Sequence, residues 1–304
     1  MAKIHPEYPA AGEIDEWCES ILTGARGRDL AVRHLDDPSY TFQLGVRHTD
    51  GNHYLAFESP GRETFYGYWQ PAIAGPAPVL FHLPGYGAEM SAHPELVQEG
   101  FNVLHINPQG YATPTGPSMP ERTWPVLPDT VKTLGEAGYV KWLEDAASAV
   151  SWALSLDAVQ SERFAFFGSS QGGGTSLLMA SIFTEIGTRA VVADVPYLTN
   201  FPLMYEQDDR GAYAGAFSAM ETEKGSTEEW RALGFIDTVS HVHRLRMPVL
   251  LTAGSLDTAT PPASVSSLFG LLPGTRSYTL MDGVGHRYTT PFLRLAKSWF
   301  QLYV

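Results

Sequence analysis

Apolar residues in this chain arrive in short, nearly unbroken runs. Ala77–Leu83, Phe101–Asn107, Arg163–Phe167, Ala190–Pro196 and Pro248–Gly254 are of this kind. Such runs predict strands buried on both faces, as in a parallel sheet. Between them, Ser91–Glu99, Tyr139–Ser155 and Thr175–Ile182 suit helices, and in Tyr139–Ser155 the residues Trp142, Ala146, Ala149, Val150 and Ala153 fall on one side. The chain opens differently. Ile14–Leu22 predicts a helix, and Tyr40–His48, Asn52–Phe57 and Thr64–Gln70 predict antiparallel strands parted by Asp50-Gly51 and Pro60-Gly61 turns. Ser277–Met281 predicts a last strand and Pro291–Leu302 a last helix. The expectation is an α/β fold, mostly parallel, with helices on both faces and 1–304 as one domain. Within it, 1–75 forms the helix and antiparallel opening. Residues 197–246 carry short amphipathic stretches that suit a helical cap over a pocket. Residues 111–138, rich in Pro, Thr and Gly, read as a long excursion of the kind that carries function or subunit contacts.

One run leads straight into Gly168-Ser169-Ser170-Gln171-Gly172, and a helical stretch follows at once. Strand, sharp turn and helix around G-x-S-x-G form a nucleophile elbow. The turn strains the backbone of Ser170, and the glycines admit close neighbours. The hydroxyl then stands alone at the top of the sheet, above helix N–H groups. That arrangement suits attack on a carbonyl and stabilisation of the oxyanion formed.

With such an elbow, an acid and then a histidine follow the serine along the chain. Asp257 follows the run Leu250–Gly254, and His286 follows the last strand, with Gly283 and Gly285 just before it. His286 would take the Ser170 proton, and Asp257 would hold the imidazole tautomer. Asp194, at the end of the strand after the elbow, is the competing acid. Asp282 reads as a turn cap. His82 and His105 precede the serine and read as structural. His241-Val242-His243 offers two metal ligands with no third nearby, so a solvated or helix-end pair is expected and no metal is assigned. Two oxyanion donors are expected: the N–H of Gln171, and that of Tyr86 in the loop Leu83-Pro84-Gly85-Tyr86-Gly87.

Composition narrows the partners. The formal net charge of −13 argues against nucleic acid or an anionic membrane surface. No window approaches eighteen apolar residues, as a spanning helix needs. The single cysteine, Cys18, excludes an intrachain disulfide and reads as structural. Met1–Glu7 lack the apolar core of a signal peptide, so a soluble, cytoplasmic protein is expected. No cofactor is called for.

Gly168–Gly173 as G-S-S-Q-G-G, Ala190–Leu198, Gly254-Ser255-Leu256-Asp257-Thr258 with Pro261-Pro262, and Gly85-Tyr86-Gly87 together resemble the acetyl xylan esterase and cephalosporin C deacetylase group of α/β-hydrolases. The N-terminal Asp15-Glu16-Trp17 helix is similar too. The resemblance implies Ser170, Asp257 and His286 as triad, Tyr86 and Gln171 as oxyanion donors, and Tyr197 near the acyl pocket. It implies hydrolysis of small acetyl esters of sugars or antibiotics, and often a hexamer. Two motifs depart. The family's Arg-Gly-Gln is here Pro108-Gln109-Gly110, and its His-Glu is His286-Arg287. Two rivals share part of the pattern: a peptidase of the prolyl-oligopeptidase type, and a non-catalytic binding protein on a hydrolase scaffold.

Overall fold

A computed structural model describes residues 4–35, 53–87, 90–109, 139–221 and 227–304. The strand expected at Tyr40–His48 and the excursion at 111–138 lie outside the described residues.

Among the described residues, nine strands form one sheet: β1 (Ala31–Leu35), β2 (His53–Glu58), β3 (Phe65–Gln70), β4 (Ala77–Leu83), β5 (Asn102–Asn107), β6 (Val159–Ser169), β7 (Ala190–Asp194), β8 (Val249–Gly254) and β9 (Arg276–Met281). Their order is β1-β2-β3-β5-β4-β6-β7-β8-β9. The β1–β2, β2–β3 and β3–β5 pairs are antiparallel, and every pair from β5 to β9 is parallel. The strand β1 was not anticipated. Its mixed sequence, Ala-Val-Arg-His-Leu, leaves most positions exposed at the sheet edge and shows no clean alternation.

The winding reverses beside β4: β5 lies on one side of it, and β6 to β9 lie on the other. Ligands in open α/β sheets bind outside the carboxyl ends of the strands at such a switch point. Here those ends are Leu83 and Gly168, which pair with each other.

Helices cover both faces, as the unbroken apolar runs require. Alternate residues of β4 show the division. Val79, Phe81 and Leu83 join the large core beneath α1 (Ala11–Arg26), α3 (Tyr139–Leu154), α4 (Gln171–Ile182) and α8 (Pro262–Leu271). Leu80 joins the opposite core, under α2 (Pro94–Gln98) and α9 (Thr290–Tyr303). The helix α2 is shorter than expected, because Pro94 suits only its first turn.

Residues 197–246 contain α5 (Phe201–Tyr205), α6 (Ala214–Glu221) and α7 (Thr227–Ile236). Buried Asp237 ties this segment together. Its carboxylate accepts from Tyr8 Oη at 2.7 Å and from the N–H groups of Asn200 and Phe201 at 2.8 Å each. Arg244 Nη1 meets Asp15 on α1 at 2.6 Å. Cys18 is buried, and burial pushes its thiol up to about 11, so it is an inert packing residue. No helix among the described residues is long and apolar enough to cross a membrane.

A second polar anchor holds α3. Arg28, just after α1, meets Asp145 Oδ1 at 2.5 Å and Glu144 at 3.1 Å, and Arg62 reaches the same two carboxylates. Gln109 Nε2 donates to Asp145 Oδ2 at 3.0 Å, so the residues after β5 are fastened to the same point. Removing one partner of a buried pair strands the other charge, at a cost of about 3 kcal/mol. Asp145→Ala therefore lowers the urea midpoint of unfolding substantially. An unchanged midpoint would show that Arg28 finds enough support from Glu144 alone.

Candidate active site

The elbow lies where β4, β6 and α4 come closest. A Cβ on Gly172 would sit 2.0 Å from the Leu83 carbonyl oxygen, and one on Gly168 would sit 2.4 Å from the same atom. Only glycine fits at either position. Between them Ser170 is held at φ 58°, ψ −120°, which a serine rarely adopts. Its backbone is locked by neighbours that bear the strain. Ser170 N–H donates to the Asp194 carbonyl at 2.9 Å, and its own carbonyl accepts from Tyr197 N–H at 2.9 Å and Gly174 N–H at 3.1 Å.

Two loops bring the partners. Asp257 lies in the turn after β8 and His286 in the loop after β9. The loops are stitched together: Leu256 N–H donates to the Val284 carbonyl at 2.9 Å, and Gly283 N–H donates to Ser255 Oγ at 2.8 Å. Ser255 Oγ also reaches Asp282 at 3.2 Å, which makes Asp282 a turn residue. The result is a hydrogen-bonded row. His286 Nδ1 lies 2.8 Å from Asp257 Oδ2, and His286 Nε2 lies 2.8 Å from Ser170 Oγ. A carboxylate accepts only, so Nδ1 carries the proton and Nε2 is left to accept from the serine. Asp257 is buried and fixed by Ala259 N–H and Thr260 N–H, both at 2.9 Å, and by Thr260 Oγ1 at 3.0 Å. Sequence reading missed Thr260, although the spacing Asp257-Thr258-Ala259-Thr260 has the form of an Asp-initiated turn.

The competing acid is placed elsewhere. Asp194 accepts from Thr252 Oγ1 at 2.5 Å and from Ser169 Oγ at 2.8 Å, and its partners do not include the imidazole. Burial pushes its carboxyl up to about 6, opposed by those two hydroxyls.

A cavity of about 600 Å³ opens beside Ser170. His82, His93, Glu95, Arg287, Tyr288 and Leu293 are among its lining residues. Gly85 also borders it, and a Cβ there would lie 3.8 Å from Ser170 Cβ. Tyr86 is next in that loop, with its ring exposed. Gln171 is buried at the first position of α4. Tyr197 is placed differently from a pocket residue. Its ring is buried, its hydroxyl donates to the Ala212 carbonyl at 3.2 Å, and it is absent from the cavity wall. No described residue of 197–246 lines the cavity either; segments 91–95 and 286–288 do that instead.

Sequence reading also missed the histidines of that wall as a group. His82 Nδ1 and His105 Nδ1 lie 2.7 Å apart, and His105 Nε2 donates to Asn107 Oδ1 at 2.7 Å. Burial holds His82 well below the usual imidazole range and lowers His105 to about 3. The pair His241 and His243 is not a joint site: His241 bonds Ser181 Oγ and the Phe235 carbonyl, and His243 bonds Asp15.

Residues 47–302 match the family model of the acetyl xylan esterases. The chain belongs to the acetyl xylan esterase family. Membership makes it a hydrolase of carboxylic esters with the α/β-hydrolase fold. Solved structures agree on that fold. Acetyl xylan esterase 1 from Thermoanaerobacterium sp. JW/SL YS485 superposes with a TM-score of 0.77 at 20% identity, over 97% of this chain and 95% of that one. The acetyl xylan esterase from Paenibacillus sp. R4 gives 0.78 at 18% identity, over 98% and 97%. The acylaminoacyl peptidase of Pyrococcus horikoshii gives 0.60 at 15% identity, and this chain matches only 41% of its length.

Asp194 makes the stability of this esterase-family fold depend on pH. Its carboxyl titrates near 3.8 unperturbed and near 6 in the folded protein. A raised folded value means the folded state favours the protonated form. The contribution is therefore complete below pH 4 and is lost as pH rises through 6, about 3 kcal/mol in all. Asp194→Asn keeps a neutral group there. Urea midpoints of this variant between pH 4 and pH 6.5 fall less with rising pH than those of the wild type. Equal slopes would place Asp194 outside that titration.

Proposed function

We propose that the protein is a serine esterase that removes acetyl groups from small acetyl esters, of sugars or of cephalosporin type, through an acyl-enzyme. The observation that carries this reading is the row Ser170–His286–Asp257, with both contacts at 2.8 Å, opening onto the cavity. Ser170 Oγ attacks the ester carbonyl as its proton passes to His286 Nε2. Asp257 keeps the ring oriented and stabilises the imidazolium. The N–H groups of Gln171 and Tyr86 serve the oxyanion, and losing one such donor costs on the order of 10²–10³ in rate. His286 then protonates the departing alcohol, and water completes the cycle by the same steps in reverse. The family name and the acetyl xylan esterases among its structural neighbours support acetyl as the acyl group. The cavity volume falls in the range that holds ligands of sugar size.

Ser170→Ala removes p-nitrophenyl acetate hydrolysis and labelling by a fluorophosphonate, while the circular dichroism spectrum stays that of the wild type. Turnover near wild type would end the assignment of Ser170. On the wild type, kcat/KM falls steeply from acetate to octanoate esters. Equal values would remove acetyl as the preferred acyl group and leave the esterase mechanism standing. An aminoacyl-p-nitroanilide is a poor substrate, and efficient cleavage of it would favour the peptidase.

A further inference from the structure

Three histidines from separate parts of the chain meet at the wall of the cavity. His82 comes from the end of β4, His105 from the middle of β5, and His93 from the residue just before α2. One ring nitrogen from each lies within 4.8 Å of the other two. All three residues are at least 95% buried. Main-chain pairing and a side chain hold them in place: His82 and His105 sit opposite each other in the β4–β5 ladder, and the Gln70 side chain accepts from His93 N–H at 2.7 Å.

Their hydrogen bonds leave lone pairs where a cation would need them. His105 donates through Nε2 to Asn107, so its Nδ1 carries a lone pair and faces His82. His93 Nδ1 lies 3.6 Å from Glu95 Oε1, and its Nε2 is buried with no hydrogen-bond partner. A buried, unpartnered ring nitrogen is costly and calls for a missing partner such as an ion. An outer amide or carboxylate on the non-ligating nitrogen is also how metal-bound imidazoles are oriented. Asn107 and Glu95 stand in those places.

We propose that His82, His93 and His105 bind one divalent transition-metal ion of the zinc class, in the cavity wall beside Ser170. The donor set is three neutral imidazoles, which suits zinc and its neighbours and does not suit calcium or magnesium. Ligating nitrogens across a tetrahedral zinc are about 3.3 Å apart, given bonds of about 2.0–2.1 Å. The pair at 2.7 Å must open slightly, and no pair has to close from beyond 4.8 Å. His82 has only to move its proton to the other ring nitrogen to present a lone pair to the ion. His82 and His93 both line the cavity, so the open fourth position takes water or an oxygen of a bound ligand there. The inference rests on the histidine geometry and is independent of the esterase reading.

The test is direct binding. Protein stripped of metal by a chelator is titrated with Co(II), followed by its visible spectrum, and then with Zn(II). One equivalent of Co(II) gives the strong visible bands of low-coordinate cobalt, and Zn(II) displaces it. His93→Ala weakens binding at least tenfold. His243→Ala, in the separate His-x-His motif, leaves it unchanged. If His93→Ala does not fold, His93→Gln takes its place with the same expected loss. The proposal is overturned if the wild type shows no stoichiometric cobalt spectrum, as a purely hydrogen-bonded histidine trio would give. It is also overturned if the His93 variants bind as tightly as the wild type, or if His243→Ala abolishes binding.

Discussion

The structure turns on one close approach of backbone to backbone. The Leu83 carbonyl, at the end of β4, touches the turn between β6 and α4 so tightly that Gly168 and Gly172 have no room for a Cβ. That contact forces Ser170 into a backbone conformation it would not choose, and its hydroxyl meets His286 Nε2 at 2.8 Å. Strain of this kind persists only where the surroundings over-determine it. Here Asp194, Tyr197 and Gly174 do so by hydrogen bonds to the Ser170 backbone. Fully buried α4 then presses the turn onto the sheet.

The rest of the site follows from where that contact sits. It lies at the point where the sheet reverses its winding, so loops from β4, β6, β8 and β9 all end there. Asp257 and His286 arrive on two of these loops, and the loops are bonded to each other before either reaches the serine. The geometry of the row thus depends on backbone bonds more than on side-chain freedom. In the proposed mechanism, preorganisation of this sort makes a weakly acidic hydroxyl usable as a nucleophile. The cavity is a separate matter. Its walls come from α2 and its preceding residues and from the loop bearing His286, and they set what reaches the serine.

Much of this was legible in the sequence, because it rests on local chemistry. Unbroken apolar runs gave away the doubly covered strands, and G-x-S-x-G between a strand and a helix located Ser170. The chain order of acid and base then pointed to Asp257 and His286, which the structure brings into contact with it. What stayed hidden depends on tertiary placement. The edge strand β1 has no alternation to betray it. Tyr197 follows the elbow's neighbouring strand, yet its ring turns into the core, while the wall is built by residues 91–95 and 286–288. His82, His93 and His105 are spaced by about a dozen residues, a separation that no periodicity links. Only the parallel pairing of β4 with β5 and the return through α2 bring them together. Arg28 and Arg62 likewise reach Asp145 from distant parts of the chain.

The central claim is that Ser170 carries the acyl group during turnover. Rapid acid quench during hydrolysis of an activated acetyl ester, followed by peptide mass spectrometry, tests this most directly. The account predicts an acetyl group on the peptide containing Ser170, localised to that residue and absent from Ser169. An acetyl group on any other residue, or turnover with no acylated intermediate under conditions where deacylation is rate-limiting, would contradict it.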